Sequence, residues 1–137
     1  MSDLDRFVTA QGPSYDAALG ELRRGRKSSH WMWWVFPQLA GLGRSATAQT
    51  YAIASAEEAR AYLAHPLLGM RLIEATRAAI DAPGTAEAIL GDIDAIKLRS
   101  SMTLFEAVAD DPEPFRAGLD RFFGGERDPA TLTLLGR

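Results

Sequence analysis

Apolar residues recur at intervals of three and four along most of the chain, which is the pattern of helices that bury one face. Two clear series are Leu63, Leu67 and Met70, and Phe115, Leu119 and Phe122. No stretch alternates convincingly between apolar and polar positions, and the β-prone segment "TYAIA" at 50–54 is assigned to an extended or short helical linker. The pattern therefore predicts an all-α fold.

Start and stop signals divide the chain into helices. The predicted signals are a capping box from Ser55 to Glu58, Pro66 in a first turn, Asp128 with Pro129 at a last short helix, and Gly25 and Gly124 as C-terminal stops. They predict a compact multihelical domain of about seven helices, at residues 3–10, 14–24, 45–51, 56–64, 66–81, 92–109 and 112–123. Short turns are expected at 31–36, 86–90 and 129–135.

The chain of 137 residues has an ordinary globular composition, with 47% hydrophobic and 24% charged residues, so a single domain over 1–137 is expected. The net charge of −3 argues against general nucleic-acid binding, which needs a broad basic face. The absence of cysteine excludes disulfides and thiolate metal sites. No apolar run is long enough to span a membrane, and "MSDLDRFVTAQ" lacks the apolar region of a signal peptide, so we expect a cytoplasmic protein without membrane contact.

The segment "KSSHWMWWVFPQLAGLG", residues 27–43, holds all three tryptophans of the chain and one of its two histidines. Pro37 disfavours helical geometry at Phe36, so most of this segment is predicted to be a loop between helices. Three exposed indoles would make a soluble chain sticky. We therefore expect at least two of them to be largely buried, with one edge lining a cavity.

Basic residues next to these tryptophans indicate a candidate binding loop. Its ligand-binding residues are predicted to be Arg26, Lys27, Ser29, Trp31, Trp33, Trp34 and Gln38. Guanidinium and ammonium groups can hold a phosphate while an indole stacks on a base or sugar, and His30 can act as a general acid or base. A structural interpretation is equally open, since cations favour helix C-termini, serines favour turns and indoles fill cores.

The segment "GDIDAIKLRSSMTLFEAVA" is predicted to form an amphipathic helix with Asp92 as its N-cap. Successive residues of a helix lie about 100° apart around its axis. The apolar residues, with Ile93 and Ile96 among them, then fall on one buried arc. Arg99 and Glu106 fall on the opposite side, which is expected to face solvent.

Three polar residues fall inside that arc, namely Asp94, Lys97 and Ser101. Their spacing of three and four allows the side chains to touch, and buried charges must either pair or face a solvated cavity. One interpretation is an Asp–Lys pair that fixes the helix register. The other is the wall of a site, with Lys97 as a cation or acid, Asp94 as its orienting group or as a base, and Ser101 as a hydrogen-bonding group. No nucleotide, hydrolase or metal motif is present, so neither a cofactor nor a metal is expected.

Longer motifs cover nearly the whole chain. They are "LDRFVTAQ", "ALGELRRGRKSSHWMWWVFPQLAGLGRS", "YAI", "EARAYLAHPLLGMRL", "DAIKLRSSMTLF" and "DPATLTLL". On these motifs the sequence is identified as a member of the DUF1810 family, small bacterial and fungal proteins without an established activity. The resemblance implies an all-α, multihelical fold. Family members are sometimes labelled calpastatin, but the chain has no long disordered inhibitory repeat.

The segment "EARAYLAHPLLGMRL", followed by a lysine-bearing helix, is also similar to the NADAR family, whose members resemble glycosidases acting on ADP-ribosyl or ribosyl-phosphate compounds. This resemblance implies an N-glycosidase-like hydrolase. We therefore predict a protein that binds, and if it is an enzyme hydrolyses, a phosphate-bearing nucleotide or ribosyl compound. The alternative is a protein-interaction or structural domain. A concave pocket built by both segments would favour the first, and exposed indoles on a flat patch the second.

Overall fold

The computed structural model describes residues 3–137, and in that part of the chain it contains nine α-helices and no β-strand. They are α1 (Asp5–Arg24), α2 (Met32–Val35), α3 (Ala46–Thr50), α4 (Ala56–Ala64), α5 (Leu68–Asp81), α6 (Ala86–Leu90), α7 (Asp92–Val108), α8 (Glu113–Phe123) and α9 (Pro129–Leu134). An isolated parallel bridge between Leu39 and Ile53 holds the linker predicted at 50–54. The predicted all-α fold is confirmed.

Helix α1 runs unbroken through Pro13, so the predicted division into helices at 3–10 and 14–24 is wrong. Pro13 faces solvent, whereas Phe7, Tyr15 and Leu22 on both sides of it are buried in the core. Burial of that apolar face outweighs the local penalty of one proline. The three expected short turns are the short helices α2, α6 and α9, and with α1 continuous the number of helices becomes nine.

Helix α7 lies at the centre of the bundle and packs against α4, α6, α8 and α9. Its residues 100–106 are buried on every side, and the Phe105 ring lies between those of Tyr62 and Phe115 in tilted contacts, with ring centroids 5.4 and 5.8 Å apart. A helix enclosed on all sides has no single buried arc, so the predicted distribution of its faces is partly wrong.

The burial of two groups of residues on α7 differs from the prediction. Ile93 and Ile96, expected inside, are 72% and 67% exposed, whereas Ala95 and Leu98 of the same turns are 2% exposed, because the neighbouring segments pack against the other side of this end of α7. Glu106, expected in solvent, is buried and forms a two-pronged ion pair with Arg127 at 2.5 and 2.6 Å. Arg116 approaches the same carboxylate at 3.2 Å. These contacts tie α8 and the chain that leads into α9 to the central helix.

The predicted helix ends are mostly correct. Ser55 accepts a hydrogen bond from the Glu58 amide, Asp128 accepts one from the Thr131 amide, and Gly25 and Gly124 end their helices in left-handed geometry. Asp92 is not an N-cap. Gly91 ends α6 and also begins α7, so Asp92 is already helical, and no side chain in the described part of the chain caps this end.

No helix within residues 3–137 is both long and apolar enough to cross a lipid bilayer.

Candidate functional site

The loop that carries the tryptophans is held by one buried carboxylate. Glu21, in the last turn of α1, accepts hydrogen bonds from the amides of Ser28 and Ser29, from Ser29 Oγ and from Trp31 Nε1, at 2.5–3.0 Å. Burial alone would raise the pKa of Glu21, but these four donors outweigh it and lower the pKa to about 2. The ionised carboxylate therefore fixes the backbone of this loop.

Two further contacts set the path of the loop. Gly25 takes a φ of 75° and ends α1 with paired backbone bonds, from its own amide to Leu22 O and from the Arg26 amide to Glu21 O. The Lys27 amide then donates to Ile89 O at 2.7 Å, which joins the loop to α6. Helix α7 begins directly after α6, so this contact brings Lys27 beside the start of α7.

Asp94 pairs with two lysines from different parts of the chain. Its Oδ2 lies 3.0 Å from Lys27 Nζ and its Oδ1 lies 3.2 Å from Lys97 Nζ. All three side chains are mostly buried, with 11–20% of their surface exposed. The predicted contact between Asp94 and Lys97 is therefore made, and Lys27 is an additional partner.

Both lysines also lie over indole rings. Lys97 Nζ is 4.3 Å from the ring centroid of Trp33, and Lys27 Nζ is 5.2 Å from that of Trp31. Cations attract the negative face of an indole, and the contact strengthens when water is excluded. The tryptophan loop and the start of α7 thus form one cluster of charges and aromatic rings.

An open groove of about 510 Å³ borders this cluster. Its walls come from both predicted segments, with Lys27, His30 and Trp33 on the loop and residues 90–94 at the junction of α6 and α7. We call it the charged groove. Lys97 does not line the groove itself but contacts Trp33 and Asp94, which do.

Most of the other predicted binding residues do not line this groove. Trp31 is fully buried, and Trp33 and Trp34 are partly buried, so none of the three indoles lies fully in solvent. Ser29 is engaged with Glu21, and Arg26 is exposed without lining the groove. Gln38 lies with Trp33 and Tyr51 around a separate, very small cavity.

Ser101 is not brought to the groove. It is fully buried in α7, and its Oγ has no hydrogen-bond partner among residues 3–137. The expected contact with Lys97 is not made, because Lys97 extends toward Asp94 and Trp33 instead.

Trp34 belongs to a different polar network. Its indole nitrogen donates to Ser14 Oγ at 2.8 Å, and its carbonyl accepts from the fully buried Gln11 at 2.7 Å. Gln11 also donates to the Tyr62 hydroxyl at 3.0 Å, and burial raises the pKa of that phenol. These bonds fasten α2 to α1 and α4, so Trp34 has a structural position.

Sequence reasoning missed Glu21, Asp92 and Ile93 as members or supports of the site. Nothing in the local sequence distinguishes Glu21 from a solvated glutamate. Gln11, however, follows Phe7 by four residues and precedes Tyr15 by four, which places it on the apolar face of α1. That spacing could have identified it as a buried polar residue.

A second cleft, of about 370 Å³, lies between α4, α5, α8 and the end of α7. Its walls are mainly apolar, with Leu63, Ile73 and Phe115 among them, and Arg60 and Asp110 also line it. It contains none of the predicted site residues.

Fold and groove together define a small all-α protein whose central helix and tryptophan loop border an open, charged groove. Residues 1–135 match the family described as protein of unknown function (DUF1810), and the chain belongs to that family. The family resemblance inferred from the motifs is thereby confirmed.

A solved structure shares the whole fold. The crystal structure of the conserved hypothetical protein Rv1873 from Mycobacterium tuberculosis is 51% identical and superimposes with a TM-score of 0.96, covering 98% of this chain and 97% of that one. No curated protein matches the sequence.

Proposed function

We propose that the protein binds a phosphate-bearing nucleotide or ribosyl compound in the charged groove. The observation that supports the proposal is the meeting of Lys27, Trp33 and the first turn of α7 at one open groove. The groove volume of about 510 Å³ lies within the range of small-molecule sites, about 300–1,000 Å³. The indoles are partly or fully buried, unlike those of a flat aromatic patch.

Two ammonium groups beside the groove can attract a phosphate group. Lys27 and Lys97 share the carboxylate of Asp94, which gives these three side chains a net charge of +1, and Asp92 on the wall brings the whole set to zero. An ammonium attracts phosphate as a compact point charge. Both carboxylate oxygens of Asp94 are paired with lysines. Asp94 therefore orients the two cations and does not serve as a general base. Asp92, also on the wall, can accept hydrogen bonds from sugar hydroxyls.

Hydrolysis in this groove would depend on His30. It is the exposed imidazole on the wall, and imidazole is the commonest general acid or base in enzymes. Release of a free base from a nucleotide, followed chromatographically with the native protein and with His30→Gln, tests this step separately from binding.

Binding is tested by calorimetric titration with AMP, ribose 5-phosphate and inorganic phosphate. We expect saturable binding to the native protein that Lys27→Met weakens by at least about tenfold, because the substitution removes the cation on the wall. Arg77→Met is the matched control, since Arg77 pairs with Glu113 on the exposed surface. No binding of any of the three compounds, or equal binding by Lys27→Met, would contradict the proposal.

One observation favours the alternative of a protein-interaction domain. Ile93 and Ile96, one turn apart on α7, are both largely exposed. If these residues form a contact surface, their replacement should change self-association in sedimentation experiments and leave the binding of small phosphates unchanged.

A further inference from the structure

Ile93 is an apolar side chain that the fold leaves in solvent at the edge of the charged groove. It is 72% exposed, although the apolar series of α7 predicts it to be buried. A single exposed isoleucine needs no explanation by itself. Ile93, however, lines the groove together with Trp33 and Leu90, while Ile96, which is almost as exposed, does not line it.

The lining of the groove combines apolar and charged residues. Trp33, Leu90 and Ile93 supply apolar surface, Lys27 supplies a positive charge, and Asp92 and Asp94 supply negative charges. A bare phosphate or a sugar phosphate would satisfy the charged part and leave the apolar part in water. A ligand that buries both parts carries an apolar, planar group as well as an anion.

We infer that Trp33 and Ile93 hold the planar base of a nucleotide, so that the groove selects nucleotides over sugar phosphates. This inference rests on the proposed function and deepens it. Trp33 comes from α2 and Ile93 from the first turn of α7, so the two apolar side chains belong to the two segments that border the groove. Lys97 lies over one face of the indole, and the part of Trp33 that lines the groove is the surface a base would contact.

The orientation of the indole is set before any ligand enters. Lys97 Nζ lies 4.3 Å from the Trp33 ring centroid, and the ring of Trp34 lies 6.3 Å away on the same short helix. A side chain held in this way loses little conformational entropy when a base stacks on it. Stacking of a base on an aromatic side chain is favourable for every base, so the inference names the class and not the individual nucleotide.

The test compares AMP with ribose 5-phosphate, which share a phosphorylated ribose and differ in the base. Calorimetric titration of the native protein should give a Kd for AMP at least about tenfold lower than that for ribose 5-phosphate. Ile93→Ala should raise the Kd for AMP by about fivefold to tenfold and leave that for ribose 5-phosphate unchanged. Ile96→Ala, at a position almost as exposed on the same helix, should change neither Kd.

Three results would overturn the inference. Equal affinities for AMP and ribose 5-phosphate would show that no base is held, while the proposed phosphate site would stand. Equal effects of Ile93→Ala and Ile96→Ala, with a change in sedimentation, would indicate a protein contact surface instead. Absence of binding by both compounds would overturn the inference and the proposed function together. Circular dichroism of each variant ensures that only folded protein is compared.

Discussion

The ammonium of Lys27 lies 3.0 Å from Oδ2 of Asp94 and joins the tryptophan loop to the first turn of α7. The second oxygen of Asp94 is taken by Lys97, so one carboxylate orders two cations beside the groove. A mostly buried carboxylate with two partners differs from a simple pair, because removal of one lysine leaves the other in place. This difference determines what substitutions in the cluster should do.

Lys97→Met tests whether the cluster serves stability or binding. Removal of one partner from an isolated buried Asp–Lys pair would lower the free energy of unfolding by about 3–5 kcal/mol. Asp94 keeps Lys27 and some contact with water, so we expect a loss of only about 1 kcal/mol in the free energy of unfolding. Urea denaturation measures this loss, and titration with AMP should show weakened binding. A loss of several kcal/mol would assign Lys97 to the core.

Lys27→Met and Lys97→Met should be far from additive. Either substitution alone leaves Asp94 with one cation, whereas the double variant leaves a mostly buried carboxylate without an ammonium. We expect the double variant to be less stable than the sum of the single effects by about 1–2 kcal/mol. A double-mutant cycle by urea denaturation gives the coupling energy. An additive result would show that water already satisfies Asp94.

Glu21 should make the protein sensitive to acid. Its folded-state pKa of about 2 is below the ordinary value of 4.5, so its contribution is present above pH 4.5 and is lost as the pH falls toward 2. Glu21→Gln keeps the shape but removes the charge, and should cost about 1–3 kcal/mol at pH 7. The free energy of unfolding of the Glu21→Gln variant should also depend less on pH between 4.5 and 2 than that of the native protein.

Tryptophan fluorescence during acid titration measures the effect, because Trp31 donates directly to Glu21. Glu113→Gln is the control, since that carboxylate pairs with Arg77 on the exposed surface. An identical acid transition in the native protein and in Glu21→Gln would refute this role of Glu21.

We expect Arg127 to contribute more than Arg116 to the stability of the buried ion pair with Glu106. Arg127 holds both carboxylate oxygens, and its hydrogen bonds are the main reason that the pKa of Glu106 is lowered. We expect Arg127→Met to cost about 1–2 kcal/mol, because Arg116 still reaches the carboxylate, and Arg116→Met to cost less. Thermal unfolding of both variants at neutral pH ranks them, and the reverse order would contradict the prediction.

Gly69 in α5 lies directly against the backbone of Leu63 in α4. A Cβ at this position would clash with the Leu63 carbonyl oxygen, and backbone cannot move aside as a side chain can. Gly69→Ala should therefore destabilise the protein by about 3 kcal/mol.

The control for Gly69→Ala is Gly12→Ala, which should stabilise the protein instead of destabilising it. Gly12 lies within α1 and has nothing within 4 Å of its Cβ position, so Gly12→Ala should stabilise by about 0.5–1 kcal/mol. Denaturation midpoints of the two variants provide the comparison. A neutral Gly69→Ala would show that α4 and α5 can separate without cost.

Half of the candidate site could be predicted from the sequence. Asp94 and Lys97 are three residues apart on one helix, so their contact follows from helix geometry alone. Lys27 could be identified as a basic residue beside tryptophans, but its contact with Asp94 requires the loop to be fastened to α6 at Ile89. A contact of that kind depends on packing between helices, which no local pattern encodes.

The sequence by itself determined the all-α class and most helix ends, because apolar periodicity and capping residues act within a few turns of the chain. Tertiary structure decided that α1 continues through Pro13, that Ile93 is exposed and that Glu106 is buried. Each of these outcomes depends on which neighbours surround a helix. Free energies from burial and ion pairing across helices exceed local preferences, so only the assembled bundle places the groove and the residues that line it.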